Sequence, residues 1–343
     1  MLYFYIFLFS VLIILLLILL GKKYPIIMLS QSNEVRRIHT VQMLKIGGVS
    51  FLSLLFLYYH IDDHIYLIIL FTSYIFLIFG LISDFYENFS PYIRLLLFLI
   101  VTSTFIFYTK IQIDNISIDF INNFLLSNYF FSFLFTAVCI ILATNSFNII
   151  DGNHGLLLGF SITTIITINQ HAYNNFIGES ELLNSLLIAI LALFIFNFIF
   201  GKVLSGDTGA YFLGFIISSI VIDLANNNLL EPFQAACILF YPITETVVSF
   251  SRRVFILRKH AFYPDNLHLH SLIYNLLITR FPNKNMINLG FHNRICSFSI
   301  LFIISILSLF SVNLGDKIGF GNLFLIFIFI YLLFYLILLR VVR

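Results

Sequence analysis

Charge is what this chain has least of. Asp, Glu, Lys and Arg make up 10% of its 343 residues, against 60% hydrophobic, where an average soluble domain is about 25% charged. With a mean hydropathy of +1.03, that shortage excludes both an ordinary soluble fold and a disordered chain, which need polar surface to meet water. Cysteine is scarce as well. Cys139, Cys237 and Cys296 each sit in or beside an apolar run, which suits small core fillers better than a disulfide framework. Tryptophan is absent and there are only six prolines. No low-complexity tail and no repeat of about 20–50 residues divides the chain, so residues 1–343 read as one helical membrane domain.

What the chain has in abundance is long apolar runs. Runs of about 15–20 residues, near the length needed to cross a bilayer as a helix, fall near 3–20, 46–59, 65–82, 92–108, 130–146, 155–169, 183–200, 209–225, 233–251, 295–312 and 322–339. The expected fold is therefore all-α, a polytopic integral membrane protein of about eleven transmembrane helices. The run at 46–59 is the shortest. The first run lacks a preceding basic residue and a small-residue cleavage site, and Lys22-Lys23 follows it. It reads as a retained span with the N-terminus outside, which puts the C-terminus in the cytoplasm. Sixteen of the eighteen Lys and Arg residues then lie on the cytoplasmic side, Lys110 and Lys317 being the exceptions, as the positive-inside rule requires. The external segment 109–129 alternates polar and apolar residues at first and fits either a short strand or a surface helix.

In this topology the polar clusters at 30–48, 83–94, 145–155, 201–209 and 252–294 all fall at the cytoplasmic helix ends. Acids at such positions are costly in lipid and face a protein interior or an aqueous cavity, so the clusters are expected to converge on one face. Gly206-Asp207-Thr208-Gly209 places a carboxylate in a glycine turn at the start of an apolar run. A tight turn allows close backbone approach, a helix N-terminus suits anions, and Mg²⁺ is held through one or two carboxylates while it keeps bonds to substrate phosphates. Asp207 is therefore a candidate metal ligand. Asn145 and Asn148 share a helix face that Asp151 continues. His268 and His270, two apart, do not share a helix face and suit phosphate contacts better than a zinc site. Arg258 and Lys259 read as orientation charges. Asp62-Asp63 lies on the opposite face and reads as a solvated turn, and Glu245, about two turns before Arg252, as a buried polar contact.

Taken in order, "RRIHTVQMLKIGG", "GLISDFYENFSPYIRL", "NSFNIIDGNHGL", "GDTGAYFLG" and "PDNLHLHSLI" resemble the motifs of the polyprenyl-phosphate N-acetylhexosamine-1-phosphate transferases, glycosyltransferase family 4. The resemblance runs from about residue 30 to 275. It implies a bundle of ten or eleven spans with a cytoplasmic site that transfers a sugar 1-phosphate from a UDP-sugar to a polyprenyl phosphate, with Mg²⁺ (or Mn²⁺) and release of UMP. It makes Asp207 the Mg²⁺ ligand with Asn148 assisting, and places Asp84 by the lipid phosphate. Arg94 would lie on the pyrophosphate, and His268 and His270 on the sugar phosphate. Asp151 joins Asp84, Asp207 and the two histidines as a catalytic candidate. Arg37, His39, Lys45, Asn145, His154, Asn197, Lys202, Arg253 and Asp265 are the further substrate-binding candidates. The chain departs from the family's pattern at Ser83, where the first acid of a pair is expected, and at His154 and Leu204 beside the nucleotide. The expected partners are UDP-N-acetylhexosamine (with N-acetylglucosamine first), undecaprenyl phosphate and membrane lipid, without nucleic acid. A homodimer is left open. The expected place is the inner (plasma) membrane, and the expected product starts a lipid-linked surface glycan such as O-antigen. A transporter of an anionic solute and an inactive family relative are the alternatives.

Overall fold

A computed structural model describes residues 1–24, 26, 28, 43–86, 88–172, 178–260, 265–281 and 286–342. Arg37 and His39 lie outside the described residues. Thirteen α-helices account for most of the rest: α1 (Leu2–Lys23), α2 (His64–Phe85), α3 (Pro91–Thr109), α4 (Asp119–Ser127), α5 (Tyr129–Ile150), α6 (Leu156–Ala172), α7 (Gly178–Phe194), α8 (Gly206–Asn226), α9 (Pro232–Ile238), α10 (Phe240–Ser251), α11 (Leu269–Arg280), α12 (Met286–Ile318) and α13 (Phe320–Val342). A 3-10 helix covers Gly47–Tyr59, and π-helical turns extend α7 and α10. Among the described residues the only β pairing is isolated bridges that join Leu44 to Met28 and Val203. The all-α expectation therefore holds, and in the segment 109–129 the helix reading wins, as α4.

Each of the eleven apolar runs falls on helix, but among the described residues only eight helices are long and apolar enough to cross a membrane. A ninth span is counted if α9 and α10, bent by 78° at their junction, are taken as one. The other two runs are short for different reasons. Helix α6 has 17 residues, about 26 Å at the α-helical rise. Gly47–Tyr59 has only 13, yet at the longer 3-10 rise these also extend about 26 Å. The sequence supports that winding. Side chains eclipse every third residue in a 3-10 helix, and Gly48, Phe51, Leu54 and Leu57 form one buried file beside a second file of Gly47, Ser50 and Ser53.

At the centre stands α8, buried at every residue from Thr208 to Leu224. A helix apolar on all sides has no face for water and is stable only when surrounded. Helices α2 and α5 and the 3-10 helix pack around it, with Phe76 stacked on Phe215 and Phe51 on Phe212. Large apolar side chains on α1, α3 and α13 are turned outward, as lipid-facing surfaces are. Cys237 and Cys296 are buried, Cys139 partly so, and all three are free.

Candidate active site

Helix ends bring the described residues of the 83–94, 145–155 and 201–209 clusters together at one end of the bundle. Backbone pairing ties the segment before the 3-10 helix to the one before α8: Leu44 N–H donates to Lys202 O at 3.0 Å, Leu204 N–H to Leu44 O at 2.8 Å, Gly47 N–H to Leu204 O at 2.9 Å and Gly48 N–H to Ser205 O at 3.0 Å. The Lys45 carbonyl is thereby set against Gly206. Gly206 has φ +69°, and a Cβ there would lie 1.9 Å from that carbonyl and 2.6 Å from Asp84 Oδ2. Only glycine fits both the left-handed backbone and the contact.

Asp207, in the first turn of α8, is the hub. Its Oδ1 accepts from Asn148 Nδ2 at 2.5 Å, and its Oδ2 from Ser83 Oγ at 2.5 Å and Tyr211 O–H at 3.2 Å. Arg94 Nη1 stands 3.7 Å from Oδ2 and 3.5 Å from Ser83 Oγ, its guanidinium 5.5 Å from the centre of the Tyr211 ring. The Arg94 Nε–H is buried without a partner among the described residues. Ser83, seen in the sequence only as a departure, is thus a direct donor to Asp207. Tyr211 was missed, although a position four residues after Asp207 shares its helix face.

Asp84 is committed differently. Its carboxylate accepts from Asp207 N–H at 3.1 Å, Thr208 N–H at 3.0 Å and Thr208 Oγ1 at 2.5 Å. Ser205, the residue before α8, makes no side-chain cap, so a carboxylate from α2 supplies the acceptors that the helix start lacks. Asp151, directly after α5, is held well above the usual carboxylate range by burial and by the charges of Asp207 and Asp84, partly offset by the Gly206 amide. Asn145 turns back to donate to Ile141 O at 2.9 Å.

Asp84, Asp151 and Asp207 are in mutual electrostatic contact, with amide and hydroxyl groups around them. No three Asp, Glu, His or Cys side chains among the described residues are close enough to hold a metal by themselves. Asp207, with the Asn148 amide at its side, is the kind of donor through which Mg²⁺ can be held while water and phosphate fill the rest of its shell.

A second group of residues flanks this one. Asn197 is buried, and its Oδ1 accepts from Gly155 N–H at 2.5 Å and its Nδ2 donates to Val203 O at 2.7 Å, clamping two site loops together. His154 N–H donates to Asn293 Oδ1 at 2.7 Å, and Lys202 is exposed at the rim. His270 is buried against Gly152, where a Cβ would meet its Nε2 at 2.3 Å, and its Nδ1 has no partner among the described residues. Burial and the neighbouring His268 lower its pKa to about 4. The rings of His268 and His270 lie parallel with centroids 5.4 Å apart. Two residues apart on a helix they would diverge, but His268 has extended dihedrals as the residue before α11, and this turns its ring onto its neighbour. Asp265 pairs with Arg252 and Arg253, each at 2.9 Å. Burial raises its carboxyl pKa, but hydrogen bonds from both arginines outweigh that and bring it to about 2. Glu245 is buried as expected, but its partners are His268 and Tyr331. Asp62 and Asp63 are exposed at the other end of α2, where Asp63 accepts from Ile65 N–H at 2.8 Å.

Residues 66–225 match the family model for glycosyl transferase family 4. The chain is 27% identical over 264 residues to a probable undecaprenyl-phosphate N-acetylglucosaminyl 1-phosphate transferase of Bacillus subtilis (strain 168), covering 75% of this chain and 68% of that protein. It is 30% identical over 126 residues to the undecaprenyl-phosphate alpha-N-acetylglucosaminyl 1-phosphate transferase of Thermotoga maritima, and 31% over 154 residues to that of Escherichia coli (strain K12). These two matches span 38% and 41% of the relatives, less than half their length. The matched stretch holds Ser83, Asp84, Arg94, Asn148, Asp151 and Asp207, and these matches together support glycosyl transferase family 4 as the family this chain is similar to.

Proposed function

We propose that the protein transfers N-acetylhexosamine 1-phosphate, with N-acetylglucosamine as the sugar, from its UDP derivative to undecaprenyl phosphate and releases UMP. The observation that carries this reading is Asp207 at the start of the central helix, bonded to Asn148 and Ser83 and faced by Arg94, beside Asp151 and the His268–His270 loop. A phosphate oxygen of the lipid attacks the sugar-bearing phosphorus of the donor. The bond from that phosphorus to the bridging oxygen breaks, and UMP leaves with the electron pair. Both reactants are anionic, so positioning and neutralisation of charge matter more than a strong base. Asp207, with Asn148, would hold Mg²⁺, which when bound supplies charge stabilisation to the transferring phosphoryl group. Arg94, with its unpartnered Nε–H, would contact the pyrophosphate. Arg253, His268 and His270 would contact the sugar phosphate, and Asp84 would fix the start of α8 and so the aim of Asp207.

The transporter alternative needs a broken helix that offers polar groups at mid-depth. The bent pair α9–α10 is lined by Phe160, Cys237, Ile238, Phe240, Tyr241, Ile304, Leu307, Ser308 and Phe327, a set with two hydroxyls and no cationic group to receive an anion. The proposed orientation places the site in the cytoplasm at the inner membrane, where it would start a lipid-linked glycan. UMP release from a panel of UDP-sugars, with undecaprenyl phosphate and Mg²⁺, tests the reading. Turnover is expected with UDP-N-acetylglucosamine. Preference for UDP-N-acetylmuramyl-pentapeptide would overturn the donor assignment, and no release with any donor would overturn the activity.

A further inference from the structure

Glu245 is the most enclosed acid near the candidate site, with none of its surface exposed. Its Oε1 lies 2.9 Å from His268 Nδ1, and its Oε2 accepts from Tyr331 O–H at 2.6 Å and Leu269 N–H at 3.2 Å. Ser249 Oγ donates to Oε1 at 3.3 Å. Every neighbour is a donor to this carboxylate, so the proton on His268 belongs on Nδ1. Helix α11 has no side-chain cap from His268, the residue before it. Glu245 supplies an acceptor from α10, as Asp84 does for α8. Helix α13 completes the support: Tyr335, one turn after Tyr331, accepts from Arg252 Nη1 and donates to Leu267 O at 3.0 Å. The far edge of His268 meets Arg253 Nη2 at 3.3 Å from Nε2, with Asp265 Oδ1 at 3.6 Å, and one ring face lies against His270. Burying a carboxylate is costly unless its partners need it. Here those partners are the imidazole and backbone of a site loop, and the geometry of a buried acid fixing one ring nitrogen of a histidine is a recurrent means of aiming the other.

We infer that Glu245 is a positioning residue for the phosphosugar transfer, holding His268 by its Nδ1–H, buttressed by Tyr331, so that the opposite edge of the ring and Arg253 meet the donor phosphate. This rests on the transfer reading above. The test uses the purified full-length protein with UDP-N-acetylglucosamine and undecaprenyl phosphate. Glu245→Gln keeps the shape but halves the acceptors, and kcat is expected to fall about 10- to 100-fold with a much smaller change in KM. Tyr331→Phe, which removes one donor at the edge of the network, is expected to give a smaller loss of the same kind, and it carries the test if the Gln variant does not fold. In a His268→Asn background, Glu245→Gln should cost little more, because the two changes remove one interaction. Wild-type turnover in Glu245→Gln, or losses that multiply in the double variant, would overturn the inference. Should the wild type release no UMP, the transfer reading fails, and ¹⁵N spectra of the His268 ring still decide the pairing. The Nδ1–H signature is expected in the wild type and altered in Glu245→Gln, and an unaltered spectrum refutes the pairing.

Discussion

Replacing Asp84 by Asn separates two roles that a loss of activity alone would confuse. The carboxylate takes three donors from the start of α8, at 3.1, 3.0 and 2.5 Å. An amide offers one acceptor oxygen, so at least one of those donors must face an NH₂ group and go unmet. A buried donor left unmet costs about 1–3 kcal/mol, which sets the destabilisation expected of Asp84→Asn. The loss should appear as a fall of several degrees in the apparent Tm of the purified protein, measured at a fixed scan rate. Turnover should fall with it, since Asp207 is carried by the same turn. If Asp84 served only to contact a substrate, Asp84→Asn would lose turnover with its Tm unchanged. That result would refute the helix-anchoring argument.

Chelation is expected to abolish transfer, and Asp207→Asn to lower kcat by several orders, because the charge on the transferring phosphoryl group would lose its main stabiliser; Asp62→Asn, at the other end of α2, should leave turnover unchanged, and full activity in chelator would refute the metal assignment. His270 titrates at about 4 in the folded protein and near 6.5 when unfolded, so the unfolded state takes up its proton first. Its contribution is present above the unfolded value and falls by about 3 kcal/mol as pH drops through that window. His270→Asn should flatten the pH dependence of apparent stability between those values, and an unchanged slope would refute the assignment. Reporter fusions after residues 62, 115, 229 and 316 should report outside and those after 86, 152, 206 and 270 inside, and a consistent reversal would remove the cytoplasmic site.

The apolar runs alone placed every membrane-scale helix, because lipid leaves a backbone no partner but itself and so makes length and hydropathy decisive. The motif order likewise placed Asp207 and Asn148 in one site, since a polar group in so apolar a chain has few places to go. Which partners each acid has was decided by contacts between residues far apart in sequence. Asp84 reads like a free carboxylate until α8 is seen to start against it. Glu245 reads like a structural acid until the loop after α10 folds back to set His268 on its oxygen. Tyr331 and Tyr335 are two hydroxyls within the apolar run 323–339, and only the packing of α13 against α10 and the His268 loop gives them partners. The winding of Gly47–Tyr59 was hidden for a similar reason. Its files of buried side chains at every third residue are legible only once α1, α7 and α8 surround it, because composition fixes that a segment is buried and its neighbours fix which faces are.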